Sequence, residues 1–314
     1  MVIQCSAWIE AQLGDRIISM TRLRSELMKR LILCTAVLFF FVAVQGQSSS
    51  MNALEDSLAT RLITFTEIDL ATSKKHSEAM QNFIEEYSQE NEIFDYAFDE
   101  LQLMKLRSSD GRVRLFTWNY PNEDGTQNYF GIALFRKDEK SRTNVYKFHE
   151  VKTDDRNWTN KIYSEGNWPG ALYFQIIAMK KKKNQTEDSY LLLGWDGVDN
   201  LTTRKLIEVI SFQGNHCKFG APLFEMDKKP IKRVVYEYSE RASMSMKYYE
   251  KKSTIIFDHI APREPQYEGF YPEYGPDGSY DAFKYEGGKW NYLPIIDIAP
   301  YVEDKEDRFV NPRP

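Results

Sequence analysis

The stretch YLLLGWDGVDN, residues 190 to 200, ends an apolar run in a tryptophan and two aspartates set among glycine, valine and asparagine. Oxygen donors closely spaced in a loop are the donor set of a calcium site, which makes Asp196 and Asp199 candidate ligands. Asp277 and Asp281, in GPDGSYD, invite the same reading. Against it, a glycine directly follows the first aspartate, so the EF-hand order D-x-[DN]-x-[DN]-G is absent. Asp-Gly is above all a turn pair, because Asp tolerates the bend and Gly supplies positive φ. Asp110-Gly111, Asp124-Gly125 and Asp277-Gly278 all recur in strand-like surroundings. Asp196-Gly197 is therefore read as a fourth turn, and no cofactor is expected, with calcium as the alternative.

Other chemistry is less localised. A glycosidase needs two carboxyl groups about 5 to 10 Å apart, but the chain carries too many acidic residues for the sequence to choose a pair, and catalytic residues stay unassigned. Asp258 and His259 resemble an acid-base couple; in a strand they point to opposite faces, Asp258 with Ile256 and His259 with Phe257. His216 and Cys217 are adjacent in a glycine-bounded loop, where a lone cysteine is read as a small core residue. The sequence has no G-x-S-x-G, H-E-x-x-H, G-x-x-x-x-G-K-[ST], G-x-G-x-x-G or C-x-x-C. What remains is a set of rings in or near predicted loops: Trp158, Trp168, Trp195 and Trp290, with Tyr267, Phe270, Tyr271, Tyr274 and Tyr280. Exposed rings stack on sugars or anchor a protein partner. Trp195, Trp158, Trp168, Trp290 and Tyr274 are thus the candidate binding residues, the competing reading being that they close the ends of a β-core.

The elements that position these residues are mostly strands. Aromatic residues make up 14% of the chain, mainly Tyr and Phe, which suits a pleated, half-buried surface. RVRLFTWNY and QNYFGIALFR enclose Pro121 to Thr126 as a hairpin. ALYFQIIAM and YLLLGW are apolar on both faces, the mark of central strands covered on both sides, and KKKKNQTED between them is a solvated loop. RVVYEYS, ASMSMKYY and TIIFDHI read as a three-stranded antiparallel meander with one wet face. TTRKLIEVISF suits a strand by its β-branched residues and a helix by Leu206, Ile207 and Ile210. Upstream, Leu54, Leu58, Leu62 and Phe65 form one helical stripe. His76, Met80, Phe83, Ile84 and Tyr87 form another, with Thr72 and Ser73 as candidate N-caps.

Met28-Lys29-Arg30 followed by LILCTAVLFFFVAV has the form of a secretory signal peptide cleaved near Gly46. As a helix its 14 apolar residues reach about 21 Å, short of the roughly 30 Å hydrocarbon core, so removal rather than anchoring is expected. The expected organisation is an upstream extension over 1–27, a signal peptide over 28–46, a helical segment over 47–92, an antiparallel β domain over 93–300 and an acidic tail over 301–314. Beyond residue 46 there remain 36 basic against 43 acidic residues, which argues against a nucleic-acid partner. Cys217 is then the one remaining cysteine, so the core must hold the fold without an internal disulfide.

FTWN, YLLLGWDG, KFGAPLF, EYSERASMSMKY, FDHI and GPDGSYDAFKY, spread over roughly Leu101 to Trp290, together resemble a family of secreted Bacteroidota proteins with no known activity. The resemblance implies a secreted or periplasmic bacterial protein and carries over no catalytic residue. The expectation is a mainly β (α+β) protein, an antiparallel sandwich or barrel-like core with two N-terminal amphipathic helices. Its function is read as a non-catalytic binding or envelope-associated module, with a glycan or an envelope protein as partner. The alternatives are a secreted hydrolase acting on polysaccharide or cell-wall material through unassigned carboxylates, and a carrier whose β-core holds an apolar ligand.

Overall fold

A computed structural model describes residues 51–60, 70–101, 103–151, 158–179, 187–226 and 229–301. The expected leader, residues 62–65 of the first stripe and the tail beyond Tyr301 lie outside them. The chain divides into units Met1–Ala53 and Leu54–Pro314. Of the first, the described residues 51–53 are helical; everything below concerns the second.

Residues 54–60 (α1) and Leu70–Glu86 (α2) are helical, and among the described residues of the same unit sixteen strands follow, from Met104 to Leu293. The strands form three sheets. The first has order β1-β2-β3-β4, with β1 Met104–Arg107, β2 Val113–Pro121, β3 Gln127–Phe135 and β4 Asn144–Phe148. The second joins β5 Tyr163–Ser164, β9 His216–Phe219, β8 Thr202–Gln213, β7 Asp188–Gly197 and β6 Leu172–Ala178, with β12 Arg233–Ser239 also on β8. The third contains β10 Phe224–Met226, β11 Lys229–Ile231, β13 Met246–Tyr249, β14 Thr254–Pro262, β15 Tyr274–Glu286 and β16 Lys289–Leu293. All named pairs are antiparallel except β10 with β16.

Strand alternation explains the layering. Leu192, Leu206 and Ile210 of the second sheet meet Val113, Leu115 and Ala133 of the first. Leu191, Leu193, Ile207 and Val209, on the opposite face, meet Ile255, Phe257 and Phe283 of the third. The two-faced strands YLLLGW and TTRKLIEVISF are therefore the middle of a three-sheet sandwich, which also resolves the helix or strand ambiguity of the latter. Helix α2 covers the first sheet's other face: Gln81 Nε2 donates to the Gly131 carbonyl at 2.8 Å, and Trp118 Nε1 donates to Ser77 Oγ at 3.0 Å.

Three sequence expectations are corrected. The buried stripe of α2 is Ser73, Ser77, Met80, Gln81 and Ile84, while His76, Phe83 and Tyr87 are half-buried; small and amide side chains let the helix approach the sheet closely. Thr72 and Ser73 lie inside α2, so they do not cap it. The meander does not form, because β12 pairs residue for residue with β8 of the middle sheet while β13 pairs with β14 of the third. The register explains this: Arg233 is placed opposite Glu208, its counter-charge in the interior.

Candidate functional site

Asp196 and Gly197 lie inside β7, and Gly197 does not have positive φ, so the pair is not the expected turn. The turn lies just beyond, where Asp199 Oδ1 accepts the backbone N–H groups of Leu201 and Thr202 at 2.7 and 2.8 Å. Asp196 is a buried carboxylate, 6% exposed. Its Oδ1 accepts the Tyr129 hydroxyl at 3.0 Å and its Oδ2 accepts Arg204 Nη1 at 3.2 Å. Gly197 is needed for space: a Cβ there would fall 2.6 Å from Cη2 of Trp195. Arg204 also donates to Glu237 at 2.8 Å and lies 4.9 Å above the ring of half-buried Trp158. The cation beside Asp196 is thus a guanidinium. Asp277 Oδ1 is engaged by the N–H and hydroxyl of Ser279, and Asp281 by His259, Tyr292 and Ile295. Among the described residues no group of three or more His, Cys, Asp and Glu is placed to hold a metal ion.

The candidate rings do not form one surface. Trp168 is fully buried between the first and second sheets, and Trp290 is 2% exposed between the second and third. These two rings are core, which corrects the expectation that they face solvent. Trp168 is held inward by its Nε1 donating to Tyr173 at 3.0 Å and by packing on Phe148 at 5.1 Å between ring centroids. Trp195 is half-buried and covers Gly197, and Trp158 is committed to Arg204.

Tyr274 belongs to a different place. It lines a cleft of about 550 Å3 between the end of the β12 segment (Ser239, Arg241, Ala242) and the adjoining ends of β14 and β15 (Ala261, Arg263, Asp277). The third sheet supplies this wall through an irregularity. Between the Asp258–Tyr280 and Ile260–Pro276 pairs, β15 advances four residues while β14 advances two. Gly278, at φ 93°, and the Asp277–Ser279 hydrogen bonds fold the extra residues into a bulge. Beside the cleft, Phe270 and Tyr271 are 54% and 43% exposed, the one adjacent pair of strongly exposed large apolar side chains among the described residues. Tyr271 packs on Tyr274 at 5.1 Å, and Phe270 on Tyr267 at 6.5 Å. Arg263 pairs with Glu273 at 3.2 Å, and Arg241 has no carboxylate partner among the described residues.

The other residues singled out from sequence are dispersed. The Cys217 thiol is buried, and desolvation beside Glu165 pushes its ionisation far upward, the opposite of a nucleophile's requirement. His216 is exposed and meets Glu165 at 2.8 Å. Asp258 and His259 diverge as strand alternation requires: Asp258 accepts the Ser245 N–H at 2.7 Å, and His259 Nδ1 lies 2.8 Å from Asp281 Oδ2. The dyad joining His259 to Asp281 was missed, because its members are 22 residues apart and meet only through the β14–β15 register.

No family model, no curated protein and no solved structure matches the chain. Among the described residues no helix is long and apolar enough to cross a membrane.

Proposed function

We propose that the chain is an exported binding module that takes a saccharide of the extracellular or envelope environment in the cleft beside Tyr274. The observation that carries this reading is the adjacent exposed pair Phe270 and Tyr271 at a cleft lined by Tyr274, Arg241 and Arg263. Flat rings supply apolar faces for the C–H faces of a sugar, and guanidinium groups supply forked donors for its oxygens. The signal-peptide form of residues 28–46 and the likeness to secreted Bacteroidota proteins support export to the periplasm or beyond.

The hydrolase reading has less support. A glycosidase needs one carboxyl kept protonated. In the cleft, Glu273 is paired with Arg263, and the Ser279 hydroxyl holds Asp277 below the ordinary carboxylate range. The carboxyl pushed upward by burial is Asp258, which is engaged by Ser245 instead. An apolar carrier has less support too, since Leu191, Leu193, Ile207, Ile255, Phe257 and Phe283 pack together between the second and third sheets.

A binding screen of the full chain against immobilised glycans and envelope extracts tests the reading. Retention of a saccharide that is lost on Phe270→Ala with Tyr271→Ala, at unchanged melting temperature, is the expected result. Equal retention by the double variant rejects the cleft as the site.

A further inference from the structure

The ends of β12 and β14 line the cleft through Ser239, Ala261 and Pro262. Ala261 lines it, and two residues earlier on the same face of β14 stands His259. The His259 side chain is 30% exposed, whereas that of Asp281, its Nδ1 partner at 2.8 Å, is 2% exposed. Asp281 is fixed on every side: Tyr292 donates to Oδ2 at 2.6 Å and the Ile295 N–H to Oδ1 at 3.0 Å. Ile295 makes that bond at φ 48°, a left-handed conformation that a β-branched residue rarely adopts. A carboxylate can only accept, so Nδ1 carries the proton shared with Asp281, and Nε2 has no partner among the described residues.

Facing this dyad from the middle sheet is Tyr236 of β12, its ring 5.0 Å from Phe257. Its hydroxyl is buried and has no hydrogen-bond partner among the described residues. Burial, with Tyr292 and Asp281 nearby, pushes its ionisation well upward, so it stays a donor. Buried hydroxyls are rarely left unpaired, because the lost water is not replaced. A phenylalanine would pack the same apolar space without that cost. An imidazole held by Asp281 and an orphaned phenol donor therefore stand on facing strands whose ends line the cleft.

We propose that His259 Nε2 and the Tyr236 hydroxyl form a polar subsite that takes a ligand hydroxyl, Tyr236 donating to it and His259 accepting from it, with Asp281 as the positioning residue. The ligand class is a hydroxyl-rich neutral saccharide unit: its hydroxyls both donate and accept, as this pair requires, while the rings at the lip cover the next unit. The inference rests on the cleft being the binding site.

The test uses the full chain, neutral tetrasaccharides built from glucose, mannose or N-acetylglucosamine as probes, and three proteins: the parent, Tyr236→Phe and His259→Ala. Calorimetric affinity and melting temperature are measured together. The expected result is that Tyr236→Phe weakens binding about tenfold, the value of one ligand hydrogen bond, while its melting temperature is unchanged or higher. His259→Ala should weaken binding similarly. If the parent binds a tetrasaccharide and both variants bind it equally well, the subsite is wrong and the cleft reading stands. If Tyr236→Phe melts several degrees lower, the hydroxyl is paired within the fold and the subsite is again wrong. If the parent binds none of the probes, while the immobilised-glycan screen finds a ligand, the neutral-saccharide assignment fails; if neither finds one, the cleft reading itself falls.

Discussion

Arg233 stands directly opposite Glu208 across the β12–β8 pair, and both side chains are 1% exposed. Its Nε donates to Glu208 Oε2 at 2.7 Å and its Nη1 to the Trp158 carbonyl at 2.9 Å, while Tyr173 donates to the other carboxylate oxygen. Removing one member leaves a buried charge without its counterpart, which costs about 3 to 5 kcal/mol. Glu208→Leu should therefore lower stability by that amount in urea titration. Arg233→Met combined with Glu208→Leu should recover most of it, because the desolvation of both charges disappears together. If the double variant is as unstable as the single one, the pair is not the reason β12 lies in the middle sheet.

Lys205 is buried on the face of β8 shared with Ile207, its Nζ 4.5 Å from the ring centroid of Phe174, and it has no carboxylate partner among the described residues. Desolvation lowers its pKa from 10.5 to about 8. Below about 8 the folded chain carries a charge that the unfolded chain holds at lower cost, so the penalty is fully present there. Between 8 and 10.5 the unfolded state binds more protons, and stability rises with pH. The penalty at neutral pH is about 2 to 3 kcal/mol. Lys205→Met should be more stable at pH 7 by roughly this amount and should lack the rise between pH 7.5 and 9.5, as read by chemical denaturation at each pH. A parent protein whose stability is flat across that window contradicts the assignment.

YLLLGW was legible as a central strand because hydrophobicity on both faces has one cause, cover on both sides, and it needed no partner to be named before it could be placed; ALYFQIIAM, read the same way, is β6 at the end of the second sheet and is mostly half-buried. The hairpin over Pro121 to Thr126 was legible for a similarly local reason, with the Asn122 N–H bonding the Thr126 carbonyl at 2.7 Å. β12 was not, since the alternation of Val234, Tyr236 and Tyr238 fits either sheet and the deciding residue, Glu208, lies 25 residues away. Asp196-Gly197 shares its two letters with three pairs whose glycines do have positive φ, and only Tyr129 and Arg204 distinguish it. The burial of Trp168 likewise depends on Tyr173 and Phe148, partners that no local pattern names. Of the candidate site, Tyr274 was found from its ring-rich surroundings; His259 with Asp281 depends on register, and register is tertiary.

Cys217 is fully buried among Phe212, Phe219 and Tyr146, with its thiol pushed toward the protonated form first by desolvation and then by Glu165. Thiol reagents react with the thiolate, so Cys217 in the native chain should be inert to them and should react only as fast as the core opens. Labelling at pH 8 should rise steeply with urea, in step with unfolding followed by tryptophan fluorescence. Rapid labelling without denaturant would place the thiol outside the core.

Gly125 ties the β2–β3 hairpin to the turn after β7. Its φ is 84°, and a Cβ there would lie 2.2 Å from Asn200 Oδ1 and 2.7 Å from the Asn200 backbone nitrogen. Two costs follow from adding one methyl group. The left-handed conformation disfavours any side chain, by about 1 kcal/mol. The contact with Asn200 requires one of two separate loops to move. Gly125→Ala should lower stability by about 2 to 3 kcal/mol in total. Asn200→Gly removes the side-chain contact and leaves the backbone contact and the φ penalty. The pair Gly125→Ala with Asn200→Gly should therefore recover part of the loss relative to Asn200→Gly alone, with a coupling of about 1 kcal/mol in a double-mutant cycle. Strict additivity would mean that the Asn200 side chain does not meet the added methyl group, the loss on Gly125→Ala then coming from the backbone contact and the left-handed φ.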